Sequence, residues 1–399
     1  MIELLFLLLP VAAVSGWWAA RRSLPREAAT SSGNEPVFFR GLNYLLDEQP
    51  DKAIDVFLKL AEVDRETVDT HLALGSLFRR RGEVDRAIRI HQNLVARSNL
   101  EHEERGYALY ELGQDYMRAG LFDRAEGLFR ELLELSLQPE RALRALAEIY
   151  QQEKDWFRCL EVAERLQARG AVPMSAEIAH YHCELAEDAL RGGTEEAAAQ
   201  HLREAQASDP NCARALMLQA EMAIAHQDAA VAMRYYEALL QQAPQYLPEI
   251  LPKLLDCFRR LGHTSLSKEL EQLYRKEPSP PLMLSLVETL RHEEGDQAAT
   301  DLLLEHLRRH ADLAGLTRLL ELQLPQTQGQ MAEAMTVSLG TLRHLLARQP
   351  AYQCEHCGFT ARRLHWQCPS CKRWGTVNPS GPEPIDQASQ WPREDTHAN

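Results

Sequence analysis

Four cysteines near the carboxyl end carry the most explicit chemistry in this 399-residue chain. They fall in an 18-residue window as Cys354-x2-Cys357-x10-Cys368-x2-Cys371. Two thiolates two residues apart grip one ion, and Gly358, directly after the first pair, lets the backbone turn so that its amides point at sulfur. The second pair, in Trp366-Gln-Cys368-Pro369-Ser-Cys371, completes a tetrahedral four-thiolate shell. Such a shell has no open position, so the ion is structural and cannot activate water. One structural metal ion is expected. Zinc is favoured over iron because no electron-transfer partner is evident, although the ligand set accepts either. His356 and His365 stand beside the cysteines and read as exposed neighbours rather than ligands. A segment of about 25 residues is too small to fold on apolar burial alone and should order only with metal bound. Its aromatics, Tyr352, Phe359, Trp366 and Trp374, are expected to pack on the last helical hairpin.

No second chemical centre stands out. Cys159 and Cys257 occupy packing positions in helical sequence and read as buried thiols, and Cys183 and Cys212 offer no partner motif. His71, His91, His102, His180, His182 and His201 are scattered without metal spacing. HExxH, GxSxG and phosphate-loop patterns are missing. The chain is therefore not expected to be an enzyme.

The elements that must position the cysteines are helical repeats. Aromatics are only 7% of the residues, Ala and Leu dominate, and alternating β-branched runs are missing, which argues against a large sheet. Comparing the chain with itself recovers the tetratricopeptide frame. Leu112-Gly113-x2-Tyr116 with Ala125-x3-Phe129 matches Leu74-Gly75-x2-Phe78 with Ala87-x3-His91, and Gly41, Tyr44, Ala53 and Phe57 give an earlier copy. Later copies keep Ala in place of Gly: Leu146-Ala147-x2-Tyr150, then Leu185-Ala186 with Ala198 and Ala205, then Ala220 with Ala232 and Tyr236. Key positions recur at offsets of 34, 38, 34, 39, 34 and 34. Two weaker units follow near 281–312 and 315–349, giving eight or nine helical hairpins. Each unit is small where helix backbones meet and large where the gap must fill, and stacked units form a superhelix whose concave surface binds peptides or proteins. Arg79 and Arg118 fall where such repeats line that groove and are candidate partner residues. The competing account of them is solvated charge.

With 44 Lys and Arg against 58 Asp and Glu, the formal charge is −14. Broad nucleic-acid binding is disfavoured, since it needs clustered cations. The basic rim of the cysteine segment (Arg362, Arg363, Lys372, Arg373) is too small to reverse this, and no nucleic-acid partner is expected.

Residues Ile2 to Ala20 are apolar or small except Glu3 and Ser15, and at about 1.5 Å per residue they reach about 28 Å, just enough to span a bilayer. Trp17 and Trp18 end the run, and Arg21, Arg22 and Arg26 follow with no cation ahead of it. A secretory signal would carry its charge in front. The positive flank instead puts the amino terminus outside and the bulk in the cytoplasm. The expected organisation is a transmembrane anchor over 1–22, a flexible linker over 23–36, repeats over 37–349, a metal domain over 350–378 and a disordered tail over 379–399. The fold class is all-α, a tetratricopeptide superhelix with a small four-cysteine domain.

This order of parts, with the stretches LALGSLFRRRGEVDRAIRIHQNL (72–94), LGQDYMRAGLFDRAEGLFREL (112–132), EIAHYHCELA (177–186) and YQCEHCGFTARRLHWQCPSCKRWGT (352–376), closely resembles the lipopolysaccharide assembly protein B family of Gram-negative bacteria. The resemblance covers nearly the whole chain. It implies a single-pass inner-membrane protein whose cytoplasmic repeats act with a rubredoxin-like metal domain. It further implies an adaptor that restrains lipopolysaccharide synthesis by promoting degradation of the deacetylase committing precursor to lipid A. The implied partners are that deacetylase, the membrane-anchored AAA+ zinc protease that degrades it, and an inner-membrane lipopolysaccharide-sensing protein that antagonises the adaptor. The alternative is a scaffold for lipopolysaccharide synthesis or export components without a role in proteolysis. By position, Cys354, Cys357, Cys368 and Cys371 match the family's metal ligands. Lys372 departs from rubredoxin, which places Gly after the second pair, and this makes redox activity doubtful.

Overall fold

The computed structural model describes residues 35–46, 49–63, 68–170, 173–263, 265–276, 278–310 and 312–380. The expected anchor over 1–22, most of the linker and residues 381–399 lie outside the described residues. Among those described, no helix is long and apolar enough to cross a membrane. The chain divides into two compact units, one ending at Asp155 and the other beginning at Trp156.

The first unit holds α1 (Glu35–Leu46), α2 (Pro50–Val63), α3 (Val68–Arg81), α4 (Val84–Val95), α5 (His102–Arg118), α6 (Phe122–Glu134) and α7 (Pro139–Glu153). Helix α1 begins at Glu35, two residues before the repeats were expected to start. Pro36, the last residue of that expected linker, sits in the first turn, where a proline's missing N–H costs nothing. The second unit holds α8 (Trp156–Ala168), α9 (Ser175–Arg191), α10 (Glu195–Ser208), α11 (Ala213–Ala225), α12 (Ala229–Gln242), α13 (Leu247–Arg260), α14 (Leu266–Lys276), α15 (Pro280–Glu294), α16 (Asp296–Arg309), α17 (Leu313–Gln323) and α18 (Gln330–Arg348). It ends in three short antiparallel strands, β1 (Tyr352–Cys354), β2 (Thr360–Ala361) and β3 (Val377–Pro379), ordered β2-β1-β3.

One spacing builds the hairpins. The second helices bury the same i, i+4, i+7 stripe: Ala87, His91 and Leu94 in α4, Ala125, Phe129 and Leu132 in α6, Cys159, Ala163 and Leu166 in α8. Ala198, Leu202 and Ala205 in α10 and Ala299, Leu303 and His306 in α16 continue it. Those positions face one side of a helix, so the stripe must meet a neighbour. In the first unit the neighbour is a glycine. A Cβ on Gly113 would lie 2.5 Å from the Phe129 ring, and Gly75 presses on His91 in the same way. No side chain fits between these backbones and rings. Cys159 and Cys257 are fully buried packing residues, as expected.

The four-cysteine segment does not rest on the last hairpin. Helix α18 buries only Leu339, and the segment's apolar side chains Leu364 and Trp366 instead join the core built from residues 213–286. Repeats earlier in the unit present the large aromatic surface that the tryptophans match, and α18 offers none. Pro379, placed in the tail for its proline-rich context, pairs with Tyr352 at the end of β3. Proline is tolerated there because β3 is an edge strand.

Candidate metal centre and its seat

Both halves of the cysteine segment fold by the same local rule. Cys354 N–H donates to Phe359 O at 2.8 Å and Gly358 N–H to Cys354 O at 2.9 Å; in the second half Cys368 N–H donates to Arg373 O at 2.8 Å and Lys372 N–H to Cys368 O at 2.9 Å. Gly358 (φ +73°) and Lys372 (φ +60°) hold equivalent left-handed positions. The turns bring the four Sγ atoms within 4.8 Å of one another, with Cys354 3.8 Å from Cys371 and Cys357 3.6 Å from Cys368. Sulfurs about 2.3 Å from one ion at tetrahedral angles stand about 3.8 Å apart, whereas a disulfide needs about 2.05 Å. The donor set therefore fits a thiolate-bound ion and does not fit a pair of disulfides. The Thr376 hydroxyl beside Cys354 Sγ, helped by the amides of Cys357 and His356, pulls that thiol down to about 6, while burial pushes Cys368 up to about 11.

The seat is aromatic. Trp374 stacks on His180 at 5.1 Å and meets Trp156 and Tyr181 edge-on, each at 5.9 Å. Trp366 lies 5.9 Å from His180 and 5.4 Å from Tyr246. The Arg214 guanidinium stands 6.0 Å from the Trp366 ring centre, and Glu184 and Glu187 hold it at 2.8 and 2.7 Å. A buried guanidinium needs such carboxylates, because an unpaired charge there would be costly. Polar clips close the rim: Tyr246 donates to Asn378 Oδ1 at 2.8 Å, and Tyr352 donates to Glu249. Burial drives His180 down to about 3, with Arg214 adding repulsion. Helices α8, α9, α11 and α13, with the turn Pro244–Tyr246, thus position the segment from outside its own sequence.

Comparison with known proteins gives the same reading of the cysteine segment and of the repeats up to residue 246. Residues 352–379 match the family described as a rubredoxin metal binding domain, and residues 70–104, 110–158 and 183–246 match tetratricopeptide repeats. Lipopolysaccharide assembly protein B of Escherichia coli K12 is 37% identical over 382 residues, covering 95% of this chain and 98% of that protein. The chain belongs to the lipopolysaccharide assembly protein B family. The Haemophilus influenzae member is 32% identical over 391 residues, again covering 95% and 98%.

In this family member the two candidate groove arginines lie in different settings. Arg79 pairs with Glu111 at 2.5 Å and Asp115 at 2.7 Å. Burial works against its charge, but the two carboxylates outweigh that and raise its pKa. Arg118 is exposed in the last turn of α5. Asp115 went unnoticed in the sequence, yet it is fully buried and also meets His91 Nδ1 at 2.5 Å. The signal was His91 itself: an imidazole where the next repeat has Phe129 must find a polar partner. Cys183 and Cys212, which share no motif, sit with their sulfurs 3.9 Å apart. His182 and His201 also converge, across the α9–α10 hairpin.

Proposed function

We propose that this chain is an inner-membrane-anchored cytoplasmic adaptor that modulates lipopolysaccharide synthesis. On this account it promotes degradation of the committed lipid A deacetylase by the membrane AAA+ protease and is antagonised by an inner-membrane lipopolysaccharide-sensing protein. The observation that carries the proposal is the 37% identity with lipopolysaccharide assembly protein B along 95% of the chain. The repeat fold supports a non-catalytic role, since its hairpins offer broad side-chain surfaces for protein contact. The apolar run before Arg21 supports the anchor, with the amino terminus periplasmic and the repeats on the cytoplasmic side. Cys354, Cys357, Cys368 and Cys371 would hold one structural ion, with zinc favoured over iron, and that ion ties the two cysteine halves into a single rigid piece. Arg118 is the candidate groove cation left facing solvent, and Arg79 would act there through the carboxylates it orders.

Confinement to one membrane raises the effective concentration of adaptor, protease and substrate without any new contact. Deleting residues 1–20 should therefore leave folded repeats but lengthen the half-life of the deacetylase. Cys357→Ser should lengthen it too, by loosening the seated segment. The half-life is measured after blocking protein synthesis. An unchanged half-life in both variants would replace the proteolytic role with the scaffold role.

A further inference from the structure

On the α9–α10 hairpin, separate from the four-cysteine centre, His182, His201 and Glu204 bring three ligand atoms together. His182 Nδ1 lies 3.3 Å from His201 Nδ1 and 3.3 Å from Glu204 Oε2, and His201 Nδ1 lies 3.7 Å from the same oxygen. Nitrogen and oxygen ligands about 2.0–2.1 Å from one ion at tetrahedral angles stand about 3.3 Å apart. Two edges of the triangle already have that length, and the third needs only a small closing movement of the glutamate. We propose that these three residues form a second, independent binding site for a divalent transition-metal ion, with water in the fourth position.

The surroundings are those of a built site. His201 and Glu204 sit one turn apart on α10, while His182 projects from α9, so the chelate is held by two helices and not by a loop. Glu204 Oε1, the oxygen turned away from the imidazoles, accepts a hydrogen bond from Gln200 Nε2 at 2.7 Å, and Gln200 Oε1 accepts one from Arg203 at 2.6 Å. Ligand carboxylates are oriented by outer contacts of this kind. The Phe157 ring lies edge-on to His201 at 6.3 Å. His182 is buried while His201 and Glu204 are half-buried, which leaves one side open for entry and for water. Two imidazoles and one carboxylate suit zinc, cobalt, nickel or copper ions, whereas calcium and magnesium want an all-oxygen shell. Helix α9 also carries His180 and Tyr181, which hold Trp374. An ion bridging α9 to α10 would therefore stiffen the helix on which the cysteine segment rests.

The test uses the full chain in detergent, with its cysteine centre already zinc-loaded, titrated with Zn2+ by calorimetry and checked by elemental analysis. Wild type should take up a second ion per chain, and His201→Asn should not. Glu204→Gln should weaken the second site by more than tenfold. Both altered side chains reach solvent, so the variants should fold, which circular dichroism verifies. With Co2+ as probe, the second equivalent should add d–d absorption without thiolate-to-cobalt charge transfer. A wild-type chain that saturates at one ion, or a second ion retained with unaltered affinity by His201→Asn, would reduce the cluster to a His–Glu ion pair and overturn the proposal.

Discussion

The hairpins of residues 68–134 and the seat of the cysteine segment solve packing problems of opposite kinds. In the hairpins a glycine on one helix meets a ring on the next, sixteen residues on, as Gly113 meets Phe129. In the seat, Trp374 meets Trp156 and Tyr181, roughly two hundred residues earlier in the chain. The hairpin is a consequence of spacing, because two amphipathic helices joined by a short turn have one way to bury their stripes. The seat is a consequence of shape. Nothing near Trp374 in the sequence specifies its partners, and the contact draws on helices from more than one repeat. The metal matters for the second kind of contact, since it makes a short segment rigid enough to present two tryptophans together.

Metal removal should therefore produce the largest separation between the two regions. A strong chelator is expected to unfold the cysteine segment, because four thiolates supply most of the order available to so short a chain. Trp366 and Trp374 should then leave the seat and shift their fluorescence to the red, while helical circular dichroism of the first unit stays near its starting value. Loss of first-unit helicity together with the metal would break the contrast. Point variants sharpen it. Trp374 is 9% exposed, and Trp374→Ala should cost the second unit about 3–5 kcal/mol in denaturant unfolding. Gly113→Ala should cost the first unit about 2–3 kcal/mol, because the added methyl group enters the space of the fully buried Phe129 ring. Each variant should leave the other unit's transition in place, as followed by residue-resolved hydrogen exchange.

The difference between the regions also marks how far the sequence could be read. The small and large positions of each repeat are local, so Gly75, Gly113, Ala125 and Phe129 announce the hairpins, and two Cys-x2-Cys pairs announce a metal site. The seat was misplaced onto the last hairpin because proximity along the chain was the only guide, and α18 buries just one side chain. Asp115 was missed for a related reason. Its partners Arg79 and His91 lie 36 and 24 residues away, and only the odd imidazole at a phenylalanine position pointed to it. His182 and His201 likewise share no spacing that a metal motif would recognise. Their meeting depends on the rotation of α9 against α10, with His180 two residues before turned to the seat.

A smaller effect follows from His180. Its native pKa of about 3 lies below the usual value of 6.5, because burial, and then Arg214, oppose the charged ring. The unfolded chain thus binds a proton more readily than the folded one. The stability this neutral imidazole supplies is complete above about pH 6.5 and is lost as pH falls towards 3, with about 2 kcal/mol gone at pH 5. Arg214, fixed by Glu184 and Glu187, is the charged group facing it. Urea unfolding of the second unit at pH 7.5 and pH 5 measures the loss. His180→Phe keeps an aromatic in the seat and should show a pH difference smaller by that amount, while acid effects on the thiolates cancel between the two proteins.

The smallest effect tests the symmetry inside the metal segment. Gly358 and Lys372 make the same hydrogen bond to the first cysteine of their pair and share the left-handed backbone, with φ of +73° and +60°. Glycine enters that region freely, whereas a side chain there costs about 1 kcal/mol or somewhat more. Lys372 is exposed, so no packing offsets the strain, and the bond it accepts from Gln367 Nε2 at 3.1 Å goes to its backbone oxygen, which a substitution keeps. Lys372→Gly should relieve the strain but leave a more flexible unfolded chain, for a net gain of about 0.5–1 kcal/mol. The reverse change, Gly358→Lys, should cost at least as much. Metal release to a chromophoric chelator in mild denaturant reads both, slower for the first variant and faster for the second. If Lys372→Gly instead speeds release, the two halves are not equivalent, and the lysine side chain holds the second half through a contact that the turn alone does not require.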